Sequence, residues 1–391
     1  MGAASSFPWT RRRWLQGLGL AATAALAPAV SFAAAATERR FVFVIQRGAA
    51  DGLHTVVPYG DPAYAGLRRD IAVDAAAALK LDGMFALHPA LAQLHGMFQQ
   101  QQALFVHAVA SPYHGNRSHF DAQNVLESGG TEPYQLKDGW LNRLAALLPK
   151  GLPDSLALAP TVPLALRGAV PVASYAPSGL RQPSEDLLAR IGQMYEGDAQ
   201  LHALWTSAGE TRDMAGKSRR QDPAGIGLLA AGFLRRADGP RIAMLETNGW
   251  DTHAGQVGRM NGQLKNLDAL LAALRDGLGP QWQRTTVLVA TEFGRTAAVN
   301  GTGGTDHGTG AVAMLVGGAV RGGRVLADWP GLQARDLLEG RDLKPTMALD
   351  AVVAAAVGES LGLEPGKVAR SLFPAMQRSA EGLPQGLVRA A

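Results

Sequence analysis

Arg241-Ile-Ala-Met-Leu-Glu-Thr-Asn-Gly-Trp-Asp-Thr-His253 carries both a structural and a chemical signal. Its first half is a short apolar run without helical period, preceded by Gly and Pro, which predicts a buried strand. Its second half places Asp251 and His253 two residues apart, directly after that strand. Because ligands of open α/β sheets bind at the carboxyl ends of strands, this segment predicts an α/β fold with its site at that edge.

Two later segments repeat the pattern. Thr285-Thr-Val-Leu-Val-Ala-Thr-Glu292 is an apolar run that ends in a carboxylate. Asp306 and His307 are adjacent in a glycine-rich loop, and the apolar run Ala311–Val316 follows them. Carboxylates and imidazoles gathered where several strands end indicate a metal site with oxygen and nitrogen ligands.

The first predicted strand, Phe41–Gln46, leads into a turn that presents Asp51. Asp-Gly is a common turn pair, so turn chemistry alone could account for Asp51. The repeated sequence of strand followed by acid favours a ligand instead.

The densest polar run, Ser111–Gln123, follows the second predicted strand, Ala103–Ala110. Helical periodicity begins near Ser118, which could be a helix N-cap. Ser118 could also be a nucleophile, because the amides at a helix N-terminus, together with the neighbouring Arg117, would bind an anion. The two interpretations are compatible.

Strands alternate with helices along the chain, which predicts a mostly parallel sheet with helices on both faces, a three-layer α/β/α sandwich. We expect one domain over residues 38–391, with a helical insertion or cap near 182–236 and a charged loop at Thr206–Pro223 within it. Glycine-rich nucleotide-binding turns and a Gly-x-Ser-x-Gly elbow are missing, which argues against dinucleotide, P-loop and serine-hydrolase sites.

Residues 1–33 predict a twin-arginine signal peptide. Thr10-Arg-Arg-Arg-Trp-Leu15 fits that pattern, an apolar stretch follows, and Ser31-Phe-Ala33 resembles a cleavage site. A membrane anchor is the alternative, but the apolar stretch is shorter than the roughly 20 residues that a span requires. We therefore expect export by the twin-arginine translocase to the periplasm or medium, without a stable transmembrane anchor.

Composition restricts the function further. The chain has no cysteine, so disulfides, thiolate metal sites and cysteine nucleophiles are excluded. Three arginines are the only charged side chains in residues 1–33, so their removal lowers the net charge from +4 to +1. A nearly neutral surface gives no electrostatic reason to expect nucleic acid as a partner.

Five ordered motifs resemble a bacterial family of exported proteins of unknown function, which is itself similar to the alkaline phosphatase and sulfatase superfamily. The resemblance extends from about Phe41 to Pro374 and implies an α/β/α sandwich with a metal-dependent site for phosphate or sulfate esters. The motifs are Arg47–Leu53, Arg117–Gln123, Gly249–His253, Thr291–Thr296 and Gly304–Gly308.

The resemblance also implies roles for individual residues. Ser118, Arg117 and His119 would act in catalysis, as nucleophile, anion-binding group and proton carrier. A divalent metal, Zn, Mn, Mg or Ca, would be held by the remaining residues of the motifs: Asp51, Asp251, His253, Glu292, His307 and Asp306.

Two departures from the superfamily pattern keep several functions open. Asp251 and His253 are two residues apart where the phosphatases use four, and Phe293 stands where a second histidine would bind metal. The site could hold one metal, two metals or none. Hydrolysis of a small-molecule or glycan phosphate ester, by Ser118 or a metal-bound water, is one expectation, with sulfate esters ranked below. The alternative is a scaffold without catalysis that binds an anionic glycan, lipid or protein in the cell envelope.

Overall fold

The computed structural model has a central nine-stranded sheet and a separate, smaller sheet of three strands. The structure describes residues 38–113, 117–149, 155–178, 183–215, 221–374 and 383–389. The predicted signal peptide lies outside these ranges. The strands are β1 (Arg40–Gln46), β2 (Val56–Val57), β3 (Leu79–Lys80), β4 (Ala86–Leu87), β5 (Ala103–Ala110), β6 (Ser155–Leu158), β7 (Val172–Ser174), β8 (Ile242–Thr247), β9 (Thr285–Thr291), β10 (Ala311–Val316), β11 (Arg324–Leu326) and β12 (Met347–Ala348).

Helices connect most of these strands. They are α1 (Gly52–Thr55), α2 (Tyr64–Arg68), α3 (Ala92–Gln99), α4 (His119–Ser128), α5 (Trp140–Leu147), α6 (Glu185–Tyr195), α7 (Ala199–Ala215), α8 (Pro223–Leu234), α9 (Gln256–Leu278), α10 (Leu349–Leu361) and α11 (Pro365–Leu372). Short 3-10 turns lie at Arg69–Ile71, Leu164–Leu166 and Gly279–Arg284. In the part of the chain that the structure describes, no helix is both long and apolar enough to span a bilayer.

The strand order in the main sheet is β11-β5-β10-β9-β1-β8-β6-β7, with β12 also beside β5. β10 is antiparallel to both of its neighbours, while the other pairs in this sheet are parallel. The predicted mostly parallel sheet is therefore confirmed. The carboxyl ends of β1, β8 and β9 are in register, because Gln46 pairs with both Thr247 and Thr291. The amino end of β10 lies at the same edge, where Ala311 pairs with Val109 of β5.

Alternating side chains of β1 build two cores, one on each face of the sheet. Phe43 packs edge-on against Trp140 of α5, with ring centroids 5.2 Å apart. Val42 and Val44 point to the opposite face and join the cluster that contains Leu267 of α9. Burial of each such side chain contributes about 1.5–3 kcal/mol, which holds a helical layer against each face. The predicted α/β/α sandwich is confirmed.

The stretch predicted as an insertion near 182–236 contains helices of two kinds. α8 buries Leu229 and Phe233 in the core that it shares with α9, so it is part of a helical layer. α6 has no buried residue and α7 buries only Thr211. The predicted loop at Thr206–Pro223 is wrong in its first half, because α7 continues to Ala215. A largely exposed helix lacks the apolar stripe that reveals a helix in sequence.

Candidate metal centre

Three histidine rings surround the carboxylate of Asp251 at the edge where β1, β8, β9 and β10 meet. Their Nε2 atoms lie 3.6 Å (His119), 3.0 Å (His253) and 3.4 Å (His307) from an Asp251 oxygen. One ligand-type atom each from His119, Asp251 and His307 falls within 4.8 Å of the others. The chain thus brings together residues from α4, from the β8–α9 loop and from the loop before β10.

Each ring has a separate partner for its other nitrogen. His119 Nδ1 lies 2.8 Å from Glu292, His253 Nδ1 lies 3.2 Å from Asp306, and His307 Nδ1 lies 2.8 Å from the Arg117 carbonyl. Because each partner is an acceptor, each Nδ1–H donates and leaves the Nε2 lone pair directed at the cluster. Metal-binding histidines are held in this way, with one nitrogen oriented by a carboxylate or carbonyl.

These residues fit a divalent cation. His119 Nε2 is buried and has no hydrogen-bond partner among the described residues. His253 Nε2 and His307 Nε2 face each other at 2.9 Å, an arrangement that a bound cation or a shared proton relieves. Buried polar atoms rarely stay without a partner, so the orphaned nitrogen itself points to an absent ligand. Imidazole nitrogen with one carboxylate oxygen is a donor set that suits Zn²⁺ and also Mn²⁺.

Glu292 anchors the buried side of the cluster. Its carboxylate accepts hydrogen bonds from Gly48 N at 2.8 Å, Gln123 Nε2 at 3.0 Å and the His119 ring. Burial alone would raise the pKa of Glu292, but the bonds from His119 and Gln123 outweigh it and hold that pKa below its usual value. The bond to Glu292 in turn raises the pKa of His119. Glu292 therefore orients a candidate ligand, where the sequence predicted a direct one.

Arg295 is a member of the site that the sequence analysis missed. Its guanidinium is fully buried, donates to Asp251 Oδ1 at 2.7 Å and also binds Thr305. Burial would raise the pKa of Asp251, and the Arg295 hydrogen bond and charge lower it. The sequence did contain a signal, because Arg295 lies within the motif Thr291–Thr296. An arginine that is buried with such a motif requires a carboxylate partner.

Asp51 lies outside the cluster, although its strand ends at the same edge. Its carboxylate forms a buried ion pair with Arg68, accepts from Gln256 Nε2 at 2.6 Å and caps α1 at His54 N. Burial would raise the pKa of Asp51, but the Arg68 charge holds it low. The structure thus gives Asp51 the cation of Arg68 as its partner, in place of the metal expected from the sequence.

Ser118 and Arg117 occupy the turn that leads into α4. Ser118 is the N-cap, with its hydroxyl accepting from Asp121 N at 3.4 Å. Arg117 has a left-handed φ of 50°, a conformation that costs a non-glycine residue energy. Its guanidinium pairs with Asp342 at 3.1 Å and with Glu339 at 3.6 Å. Its carbonyl orients His307, which no local pattern in the sequence indicates.

A cavity of about 420 Å³ opens beside the cluster. Phe293 forms one wall, and its ring centroid lies 5.0 Å from that of His119 and 5.2 Å from that of His307. Phe293 therefore contacts both histidines and also lines the cavity.

The family described as "Protein of unknown function (DUF1501)" matches residues 38–373. The chain belongs to this family. The membership that the five motifs predicted is thereby confirmed. Among curated proteins, none matches the chain.

The solved structures with which this chain aligns share little sequence with it. The C-terminal periplasmic domain of EcEptC from Escherichia coli, in complex with Zn, has a TM-score of 0.33 at 8% identity, over 71% of this chain and 73% of that one. The phosphonate monoester hydrolase of Agrobacterium radiobacter aligns with a TM-score of 0.33 at 11% sequence identity. The alignment covers 74% of this chain and 70% of the hydrolase. A 2-O GAG sulfatase aligns with a TM-score of 0.36 at 11% sequence identity. The alignment covers 87% of this chain and 76% of the sulfatase.

Proposed function

We propose that the chain is an exported, divalent-metal-dependent hydrolase of phosphate esters, with sulfate esters as the less favoured substrates. The observation that supports this most is the convergence of three Nε2 atoms on Asp251, each ring being oriented through its Nδ1 atom. Phosphate ranks above sulfate because the chain lacks cysteine, and Ser118 is not followed by the Pro and Arg of a formylglycine motif.

His119, Asp251 and His307 would hold the cation, and His253 would add a further nitrogen from the more exposed side. A divalent cation at such a position supplies Lewis-acid activation of a phosphoryl oxygen or of water. Arg295 keeps Asp251 ionised and therefore available as a ligand. Arg117, at the turn beside His307, would bind an equatorial oxygen of the ester.

We assign the nucleophile to water. Attack on phosphorus breaks the ester P–O bond, the alcohol leaves with a proton, and inorganic phosphate carries the new oxygen. Nucleophilic serines lie within hydrogen-bond reach of a base. In the described ranges the Ser118 hydroxyl has one hydrogen bond, from Asp121 N, and none to a histidine.

Elemental analysis of the purified mature protein, together with turnover of an aryl phosphate, tests the proposal. We expect about one equivalent of Zn or Mn, and loss of both metal and turnover in His307→Ala. His202→Ala, on the exposed surface of α7, is the matched control and should keep both. Metal-free protein after reconstitution would overturn the hydrolase and favour the alternative, a scaffold that binds an anionic glycan, lipid or protein.

The variant Ser118→Asn distinguishes water from the Ser118 hydroxyl as the nucleophile. Asparagine is as good an N-cap as serine, so α4 keeps its start while the hydroxyl is lost. We expect this variant to retain most of the turnover and all of the metal. Full metal content with turnover abolished would assign the nucleophile to Ser118.

A further inference from the structure

The cavity beside the metal centre shares two of its walls with the centre itself. Phe293 contacts the rings of His119 and His307 on one side and lines the cavity on the other. Arg117 orients His307 through its carbonyl and lines the cavity with its side chain. An ester whose phosphoryl group lies at the histidines would therefore extend its alcohol into this cavity.

The shape and lining of the cavity suit one ring. Its volume of about 420 Å³ lies in the lower part of the range for small-molecule sites, about 300–1,000 Å³. Tyr113 and Phe293 contribute aromatic walls, and both side chains are held in place by burial. Leu338 and Pro345 add apolar surface on the remaining sides. Aromatic rings, and the C–H faces of sugar rings, bury well against such walls.

The charges at the cavity leave one cation, Lys344, for a negative occupant. Two cations, Arg117 and Lys344, line it together with one carboxylate, Glu339. Arg117 is engaged by the buried Asp342. Lys344 is exposed and forms no ion pair with any residue that the structure describes. Its ammonium group is thus available to a ligand, whereas Arg117 already has Nη2 paired with Asp342 and Glu339.

We propose that this cavity binds the alcohol portion of the substrate, and that this portion is a ring carrying a second negative charge that Lys344 contacts. The second charge would be a carboxylate or a further phosphate or sulfate. This substrate class rests on the proposed hydrolysis at the adjacent centre. An ester of a neutral alcohol would fill the cavity and leave Lys344 without a partner.

A matched pair of substrates tests the assignment. Phenyl phosphate and 4-carboxyphenyl phosphate differ by the para-carboxylate, which carries the second charge. The variants are compared by the ratio of the two esters, so that the chemical difference between them cancels. We expect the metal-loaded full-length mature protein to prefer the carboxylated ester in kcat/KM. Lys344→Met, which keeps the apolar stem, should lower this preference about two- to fivefold. Lys367→Met, an exposed lysine at the start of α11, is the control and should keep the wild-type preference.

Binding of uncleavable analogues separates failure of this inference from failure of the proposed function. We expect calorimetry to show tighter binding of 4-carboxyphenylphosphonate than of phenylphosphonate, with the difference lost in Lys344→Met. Binding that follows this pattern without turnover of either ester would overturn the hydrolase and keep the cavity assignment. Turnover of both esters at equal kcat/KM, with equal binding of the two analogues, would overturn the cavity assignment and keep the hydrolase.

Discussion

Glu292 is a buried carboxylate whose main described partner at the cluster is the His119 ring. Glutamine at this position keeps the shape but removes the charge that fixes His119. Loss of such an orienting partner lowers metal affinity by about 10- to 100-fold. We therefore expect Glu292→Gln to bind Zn²⁺ correspondingly more weakly in a calorimetric titration. The exposed Glu132→Gln is the control, and equal affinity in both variants would contradict the orienting role.

His54 predicts a pH dependence of stability. It is buried in α1, both ring nitrogens lack partners among the described residues, and burial lowers its pKa to about 4 from 6.5. Below pH 6.5 the unfolded chain binds a proton that the folded chain refuses, so the unfolding free energy falls until about pH 4. Between pH 7 and pH 5 the unfolding free energy falls by about 2 kcal/mol because of this group.

Urea unfolding of His54→Leu at both pH values checks this expectation. The variant should lose about 2 kcal/mol less on acidification than the wild type, because it has no such group to protonate. His202→Leu, a change on the exposed surface of α7, should lose as much unfolding free energy on acidification as the wild type does. An unchanged pH dependence in His54→Leu would show that the ring is not a source of the acid sensitivity.

Sequence patterns identified Asp251, His253 and His307 because each follows or precedes an apolar run at the same sheet edge. They could not reveal that Asp51 pairs with Arg68. That partner lies on a separate short helix, and its approach depends on tertiary packing that no local pattern reports. The presence of a site residue at a strand end can therefore be predicted from the sequence. The residue that pairs with it can be predicted only when both lie in the same sequence motif.

The loops of the site approach each other closely at glycines. A Cβ atom on Gly304 would overlap the backbone carbonyl of His253. We expect Gly304→Ala to force the His253 and His307 loops apart and to lower Zn²⁺ affinity at least tenfold, as measured by titration. Gly301→Ala changes the same loop where nothing lies within 4 Å, so it should bind like the wild type. Equal affinity of both variants would contradict close loop contact as a requirement.

Helix α4, which carries His119, is tied to the sheet by Arg47. Its guanidinium lies 2.7 Å from both Glu127 of α4 and Glu246 of β8. Arg47→Met would leave the buried Glu127 without its countercharge, and removal of one partner of a buried pair costs about 3–5 kcal/mol. Urea unfolding should show this loss. The double variant Arg47→Met/Glu127→Gln should recover part of it, and no recovery would rule out the unpaired charge as the cause.

Strands were the most predictable elements, because β1, β5, β8, β9 and β10 are apolar runs bounded by polar turns. The direction of β10 was not predictable. The connection from β9 to β10 contains no named helix in this fully described stretch, and nothing in the residues of β10 itself encodes its orientation. Helix α7 was partly missed since its exposed surface gives no periodic signal.

At the scale of the whole molecule, metal binding and folding should be linked. The candidate ligands come from α4, from the loop after β8 and from the loop before β10, so a cation would join segments that only the folded chain brings together. Zn²⁺ at 100 times its dissociation constant should raise the unfolding free energy by about 2.7 kcal/mol. Calorimetry with Zn²⁺ and with a chelator measures this difference. His307→Ala should show none, and a full shift in that variant would place the stabilising ion elsewhere.

Because β10 is antiparallel to β9, the segment between them leaves the sheet and returns to it at the same edge. That one segment contains Glu292, Arg295, Asp306 and His307. Its tip, near residues 299–303, is held against the loop after β8, because Asn300 Nδ2 and Thr302 Oγ1 donate to the His253 carbonyl at 2.9 and 2.6 Å. Directed evolution of the tip would therefore move His253 as well, so substitutions there would retune the cluster while the pairing of β9 with β10 stays intact.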